Sequence, residues 1–290
     1  MLGIVLALFS ALSFGLSQIL VRKNLDRSNF VYISLMVTIM GNIVLWPLVF
    51  IFTDFNTLNL EGLLFFIVAG LLAPGIARLF YFKGMKNVGI STNASIFATY
   101  PIYTSVVAVL LLGEVLTLEN WVGIALIIIG VIFAGRSINS SESQPKLTSK
   151  KSFIIPAFGS LAMAFSQIVR KEGLNIYNQP LLGVALGYLT SLIVYLLLMF
   201  VSTRSRDSKF SRQDLRLFWK PGLGIAAGWL LSFLALSQEM VSIIVPVLQT
   251  ELLFILIFAY VFIRKLENFS FKLIVSAFMI VAGVILISIN

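Results

Sequence analysis

The sequence contains neither cysteine nor histidine. The lack of cysteine excludes disulfide bonds, thiolate metal ligands and thiol nucleophiles, and the lack of histidine excludes imidazole ligands and imidazole acid–base catalysis. We therefore expect no zinc site, no haem and no other metal or cofactor. The function has to rely on carboxylates, amides, hydroxyls, aromatic rings, lysine and arginine.

Charged residues are scarce as well. Asp, Glu, Lys and Arg make up 11% of the 290 residues, whereas an average soluble domain has about 25%. Hydrophobic residues account for 59% of the chain, and the mean hydropathy is +1.01. This composition excludes a soluble enzyme, a disordered chain and a coiled coil. We attribute the net charge of +9 to loops that face an anionic membrane surface, and we expect no nucleic-acid partner.

Long apolar runs take up most of the chain. A helix of about 20 apolar residues crosses the hydrocarbon core of a bilayer, and no alternating pattern indicates membrane-spanning strands. We therefore predict an all-α integral membrane protein with ten transmembrane helices. The predicted spans, numbered one to ten, are Leu2–Val21, Phe30–Ile51, Gly62–Tyr81, Ile90–Leu112, Trp121–Ala134, Phe153–Val169, Leu181–Val201, Leu217–Leu236, Val241–Ile263 and Phe271–Ile289.

A polar, serine-rich segment at 136–152 divides the chain into two similar halves, 1–135 and 153–290. Four short features recur in the same order in both halves. They are Leu16–Lys23 against Phe165–Lys171, Glu114 against Glu267, Gly123 against Ser276, and Gly130 against Gly283. Because each half contains an odd number of spans, the second copy must be inverted in the membrane. We predict two inverted five-helix repeats, an arrangement that is typical of secondary transporters, joined by a cytoplasmic linker.

The distribution of basic residues predicts the orientation. Nineteen of the 21 Lys and Arg residues lie in or beside the loops that follow spans one, three, five, seven and nine. Only Arg170 and Lys171 lie on the opposite side. Because basic residues concentrate in cytoplasmic loops, we place these five loops in the cytoplasm and both termini outside, in the plasma (inner) membrane.

The chain resembles the EamA-type members of the drug/metabolite transporter superfamily. The residues that carry the resemblance are Pro101-Ile102-Tyr103, the Gly113-Glu114 pair after span four, and the glycine-rich span five with Gly130-Val131. The second half departs from the pattern, because Leu266 precedes Glu267 where the family has glycine. Exporters of this family commonly have both termini in the cytoplasm, opposite to the orientation predicted from the charges. The resemblance implies facilitated or ion-coupled movement of small metabolites, such as amino acids or nucleotide-linked sugars.

Glu251 is the first candidate for a functional residue. It lies near the middle of span nine, where a charged carboxylate costs about 2.5–3.5 kcal/mol on insertion scales. It could bind a substrate ammonium group or a coupling proton, or it could be a protonated carboxyl bonded to a neighbouring helix. Gln249 is close to it in sequence, and Pro246 could open a kink beside it by removing a backbone hydrogen bond.

Arg78 is a second charged residue within an apolar run. It could pair with Glu251, bind an anionic substrate, or extend its long side chain to the nearby cytoplasmic surface. In span four, Asn93 and Tyr100 share one predicted helical face with Phe97 and Thr104, either as the lining of a cavity or as interhelical hydrogen-bonding residues.

Gln18 and Gln167 are candidates because they occupy equivalent positions in spans one and six. Amides are costly in hydrocarbon, so both should face inward, towards either a cavity or a neighbouring helix. Small residues at seven-residue spacing in spans five and ten predict close-packing seams, with a homodimer interface as the alternative. They are Gly123, Gly130, Ser276 and Gly283.

These features predict a secondary transporter for a small polar or zwitterionic metabolite, with a site between the two repeats at the membrane midplane. A substrate gradient or a coupled proton or ion must drive it, because the chain has no phosphate-binding loop for ATP. Two alternatives remain, a flippase for a lipid-linked intermediate and an intramembrane lipid-modifying enzyme. We do not expect an enzyme, because the twelve acidic residues are scattered.

Overall fold

The computed structural model describes residues 1–22, 30–88, 93, 96–137, 153–201, 212–263 and 271–289, and none of these residues forms a β-strand. Apolar segments form helices because a helix satisfies its own backbone hydrogen bonds where no water is available. The helices are α1 (Leu2–Arg22), α2 (Phe30–Phe52), α3 (Leu60–Gly70), α4 (Ala77–Val88), α5 (Tyr100–Leu111), α6 (Leu118–Ser137), α7 (Ile154–Ile176), α8 (Pro180–Val201), α9 (Arg212–Gln238), α10 (Val241–Leu248), α11 (Glu251–Ile263) and α12 (Phe271–Ser288).

The helices match the predicted spans closely. Within the described ranges, five helical segments are long and apolar enough to cross a membrane: Leu2–Val21, Val31–Phe52, Leu60–Tyr81, Pro180–Phe200 and Arg216–Gln238. They correspond to predicted spans one, two, three, seven and eight. Shorter apolar helices occupy parts of spans four, five, nine and ten. The prediction of an all-helical protein with membrane-spanning segments is therefore confirmed.

Three of the predicted spans are interrupted rather than continuous. In span three a wide turn at Leu71–Ile76 separates α3 from α4, and Ala73 within it is extended (φ −150°, ψ 130°) next to Pro74. In span nine, α10 ends two residues after Pro246, and α11 begins at Glu251. In span four, residues 98–99 form a turn before α5. Proline explains the break in span three, because the residue before a proline favours an extended conformation, as Ala73 has here. In span nine, Pro246 lies inside α10 and the helix continues past it to Leu248.

Spans one and six occupy similar positions in the bundle. Span one packs against span eight, where Ser10 Oγ donates to Gly228 O (2.7 Å) and Ser13 Oγ donates to Gly224 O (2.8 Å). Span six packs against span three, where Ser166 Oγ donates to Ala69 O at 2.8 Å. Small hydroxyl residues suit these contacts, because they allow two backbones to approach and also supply a hydrogen bond.

The small residues that predict close-packing seams lie where spans five and ten meet. A β-carbon on Gly123 would lie 2.8 Å from Gly283 O, and one on Gly130 would lie 3.0 Å from Ser276 O. Both distances are shorter than ordinary van der Waals contact, so α6 and α12 approach each other as closely as glycine allows. The seam therefore lies within one chain.

One end of the bundle is held together by polar contacts, and we call it the terminal face. The amino group of Met1 pairs with Glu239 at 2.8 Å. The Glu114 carboxylate accepts hydrogen bonds from Val241 N (2.7 Å), Ser242 N (3.0 Å) and the Ser242 hydroxyl. Lys171 Nζ donates to Leu236 O (2.8 Å) and Glu239 O (2.9 Å). The first residue of the chain and the loops after spans four and eight are thus tied together.

Candidate functional site

The main cavity has a volume of about 260 Å³ and is bounded by both halves of the chain. Its lining includes Gln18, close to the end of α1, and Ile33 and Ser34, close to the start of α2. The other end of α1 begins beside Met1 at the terminal face. The cavity therefore extends from the middle of the bundle towards the end opposite the terminal face.

Six of the seven predicted site residues line this one cavity. They are Gln18, Arg78, Tyr100, Gln167, Gln249 and Glu251. They come from six different helical segments and turns, so long-range packing brings them together. Their roles in binding or coupling remain predictions.

Asn93 lies elsewhere. It is fully buried and packs against Gly84, outside the cavity lining. Thr104, from the same predicted stripe, donates its hydroxyl hydrogen to Tyr100 O at 3.0 Å. Of the four residues of the predicted stripe, Phe97 and Tyr100 line the cavity, whereas Asn93 and Thr104 do not.

Glu251 is the first residue of α11 and lies beside α1. The Gln18 side chain is within hydrogen-bonding reach of its carboxylate. The two helices can approach because Gly15 has no side chain, and a β-carbon there would lie 2.7 Å from Phe254 Cβ. Gly15 therefore allows α1 and α11 to lie close enough for the Gln18 amide to reach the Glu251 carboxylate.

Gln249 lies in the turn that precedes Glu251. Its Nε2 donates to the carbonyl oxygen of Ala98 at 3.4 Å, and Ala98 lies in the turn that interrupts span four. The two helix interruptions are therefore in direct contact at the cavity wall.

Arg78 contributes a positive charge to the cavity lining. It lies within hydrogen-bonding reach of the Tyr195 hydroxyl, which itself donates to Pro74 O at 2.7 Å. Arg78 and Glu251 do not form an ion pair: in the part of the chain that the structure describes, the one ion pair joins Met1 to Glu239. Both charges therefore remain available to a ligand.

Arg170 differs from its expected position. Its sequence position after the predicted end of span six indicates a surface residue, but α7 continues to Ile176 and Arg170 is 1% exposed. Its guanidinium donates to Gln167 Oε1 (2.6 Å), Ser166 Oγ (3.2 Å) and Ala73 O (3.3 Å). The apolar residues Leu174 and Ile176 beyond it were the available signal that the helix is longer than predicted.

Aromatic rings form much of the remaining wall. Phe14 meets Trp229 edge to face with ring centroids 5.5 Å apart, and Tyr81 meets Phe97 in the same way at 4.8 Å. The described residues contain no group of three or more acidic side chains that could hold a metal ion. The cavity offers an apolar surface with a few charged and amide groups, which is the usual composition of a small-molecule site.

Comparisons with known proteins agree with this picture. Residues 1–136 match the model of the EamA-like transporter family. An uncharacterized transporter of Archaeoglobus fulgidus is 22% identical over 291 residues, covering 99% of this chain and 98% of that protein. A solved crystal structure matches with a TM-score of 0.81 and 11% sequence identity, covering 99% of this chain and 96% of the other. This last similarity shows the fold alone.

Proposed function

We propose that this chain, a member of the EamA-like transporter family through its residues 1–136, moves a small polar or zwitterionic metabolite across the membrane by alternating access. The family and the apolar helices make it an integral membrane transport protein. The observation that supports a more specific function is the cavity of about 260 Å³, which contains Glu251, Arg78 and three glutamines between aromatic walls.

The size of the cavity favours a small substrate. Sites for drug-sized ligands usually measure about 300–1,000 Å³, and this cavity lies just below that range. Glu251 can hold a cationic group of the ligand or a coupling proton, since a carboxylate inside a membrane protein is costly unless it has such a partner. The glutamines can orient neutral polar groups without adding charge.

The helix packing supports an arrangement of two inverted repeats, residues 1–135 and 153–290. Span one packs against spans eight and nine, and span six packs against spans three and four. If each span is replaced by its counterpart in the other half, so that span one becomes span six and span eight becomes span three, the contacts of span one become those of span six. Likewise, the contact of span two with span eight converts into that of span seven with span three. The pairs of spans two with seven, four with nine and five with ten convert into themselves. A pseudo-twofold axis between the halves would generate this pattern.

The interrupted helices support a substrate site between those repeats. Discontinuous helices commonly form the binding sites of transporters with inverted repeats, because their free backbone groups face the substrate or a coupling ion. Here the breaks of spans four and nine, which occupy equivalent places in the two halves, meet through Gln249 and Ala98.

The contacts at the terminal face support alternating access. Glu114, Lys171 and Met1 close this face, whereas the cavity lies towards the opposite end. Opening the terminal face would require these hydrogen bonds to break as the halves rock. With both termini outside, as the charges predict, the structure corresponds to a state that faces the cytoplasm.

The test is transport by purified protein in proteoliposomes, after a thermal-shift screen of metabolites has identified a ligand. Glu251→Gln should abolish transport while the protein still folds and inserts. Glu119→Gln is the matched control, because Glu119 is exposed in the first turn of α6. Transport by Glu251→Gln at the native rate, with unchanged pH dependence, would contradict the proposed role of Glu251.

A further inference from the structure

Arg170 is a buried charge that has no acidic partner among the residues that the structure describes. The side chain is 1% exposed, and its guanidinium lies over the rings of Trp229 (4.5 Å to the centroid) and Phe233 (4.6 Å). All three of its hydrogen-bond acceptors are neutral, and its Nε has none among the described residues. A buried charge that lacks a counter-ion is costly, and the two aromatic rings and three acceptors offset only part of that cost.

The uncompensated charge lies directly behind one wall of the cavity. Gln167 and Trp229 both contact the guanidinium and both line the cavity. One layer of side chains therefore separates the charge from the ligand space. In a weakly polar interior, a charge at this separation still acts strongly on a ligand.

Arg170 also determines which end of the Gln167 amide faces the cavity. A guanidinium has donors and no acceptor, so the atom of Gln167 that it contacts at 2.6 Å must be the amide oxygen. The amide NH₂ group is then the end left for the Tyr100 hydroxyl, which is within hydrogen-bonding reach of Gln167. This wall consequently presents hydrogen-bond donors to the ligand.

A second wall carries the opposite charge. Glu251 lines the same cavity with Gln18 beside it. We propose that Arg170 is a positioning residue that makes the wall of Gln167 and Tyr100 the site for the carboxylate end of the substrate, while Glu251 holds the cationic end. This inference rests on the proposed transport function and adds a determinant of its specificity.

Arg78 is the residue with which Arg170 has to be compared as a determinant of carboxylate binding. It carries a second guanidinium beside the cavity, and unlike Arg170 it lines the cavity directly. If simple pairing with the nearest cation held the carboxylate, Arg78 would be the determinant. Replacing Arg170 and Arg78 in separate variants shows which of the two arginines determines carboxylate binding.

The experiment measures binding of three probes of the same shape: leucine, 3-methylbutylamine without the carboxylate, and 4-methylpentanoate without the ammonium. Trp229 lines the cavity, so its fluorescence reports binding once Trp46, Trp121 and Trp219 are replaced by phenylalanine. Arg170→Gln should weaken leucine and 4-methylpentanoate at least tenfold and the amine less than twofold. Arg170→Lys should retain most of the affinity.

If Arg170→Gln does not fold, the variant Gln167→Glu tests the same inference. A glutamate in this position would pair with Arg170, cancel its charge and remove the amide donor within the same shape, so the same selective loss is expected. The inference is wrong if both variants affect all three probes alike, if Arg78→Gln alone gives the selective loss, or if the native protein binds neither carboxylate probe. If the protein binds the amine, and only the loss of Glu251 weakens that binding, the inference about Arg170 is wrong but the proposed transport function is not contradicted.

Discussion

Gln249 Nε2 donates a hydrogen bond to Ala98 O at 3.4 Å, and this contact joins the interruption of span nine to that of span four. Both residues line the cavity. A carbonyl group at a helix break lacks its usual partner within the helix, and the amide of the other half supplies one. The wall of the site is thereby shared between the two halves of the chain.

Gln249→Ala should reduce transport strongly and change stability little. A single hydrogen bond between membrane helices contributes well under about 1 kcal/mol on average, so the unfolding midpoint should move by only a few degrees. Loss of the contact would release the two breaks from each other and lower ligand affinity. Gln238→Ala, at the exposed end of α9, is the control, and equal transport by both variants would argue against a role for the contact.

Glu114→Gln should make the terminal face open more readily. The carboxylate accepts three hydrogen bonds at the start of α10, and such charge-assisted bonds contribute about 1.5–3 kcal/mol each. The native chain has no cysteine, so an Ala235→Cys variant carries one buried label site close to this face. Maleimide should label it roughly tenfold faster after Glu114→Gln, since 1.4 kcal/mol corresponds to a factor of ten.

The control for that measurement is Glu172→Gln. Glu172 accepts a hydrogen bond from Asn175 on its own helix, so its replacement should leave the labelling rate unchanged. Equal rates for the two variants would mean that Glu114 does not hold the terminal face closed.

Gly123→Ala should destabilise the protein. The added methyl group would meet Ile287 Cγ1 at 2.7 Å and Gly283 O at 2.8 Å, and overpacking of this kind costs about 1–3 kcal/mol. Gly187→Ala is the matched control, because its β-carbon would lie at an ordinary 3.6 Å from Gly70 Cα. Thermal unfolding in detergent measures both, and a smaller loss for Gly123→Ala than for Gly187→Ala would contradict the close packing of α6 on α12.

The orientation predicted from the basic loops can be checked with fusions at the C-terminus. Alkaline phosphatase, which is active only outside the cytoplasm, should be active there, and a fluorescent protein that matures only inside should remain dark. The opposite pattern would reverse the orientation and place the cavity towards the outside.

The positions of some cavity residues could be predicted from the sequence, and those of others could not. Gln18, Gln167 and Glu251 were identified because a polar group in an apolar run has few favourable places other than a cavity or a helix contact. Asn93 does not line the cavity, although Phe97 and Tyr100 of the same predicted stripe do, because helical spacing does not show how far along the helix the cavity extends. Arg170 was taken for a loop residue, because the predicted span ended at Val169 and counting basic residues does not reveal burial.

Composition and the length of the apolar runs by themselves determined that this chain is a bundle of membrane helices, since a backbone in hydrocarbon has to satisfy its own hydrogen bonds. Only the tertiary structure decided that Gln18 meets Glu251, that Gln249 meets Ala98, and that Arg170 lies behind Gln167. These contacts join residues far apart in the chain, and they depend on how closely neighbouring backbones approach. Small residues such as Gly15 permit a close approach, but the sequence near them does not show which helix will be the neighbour.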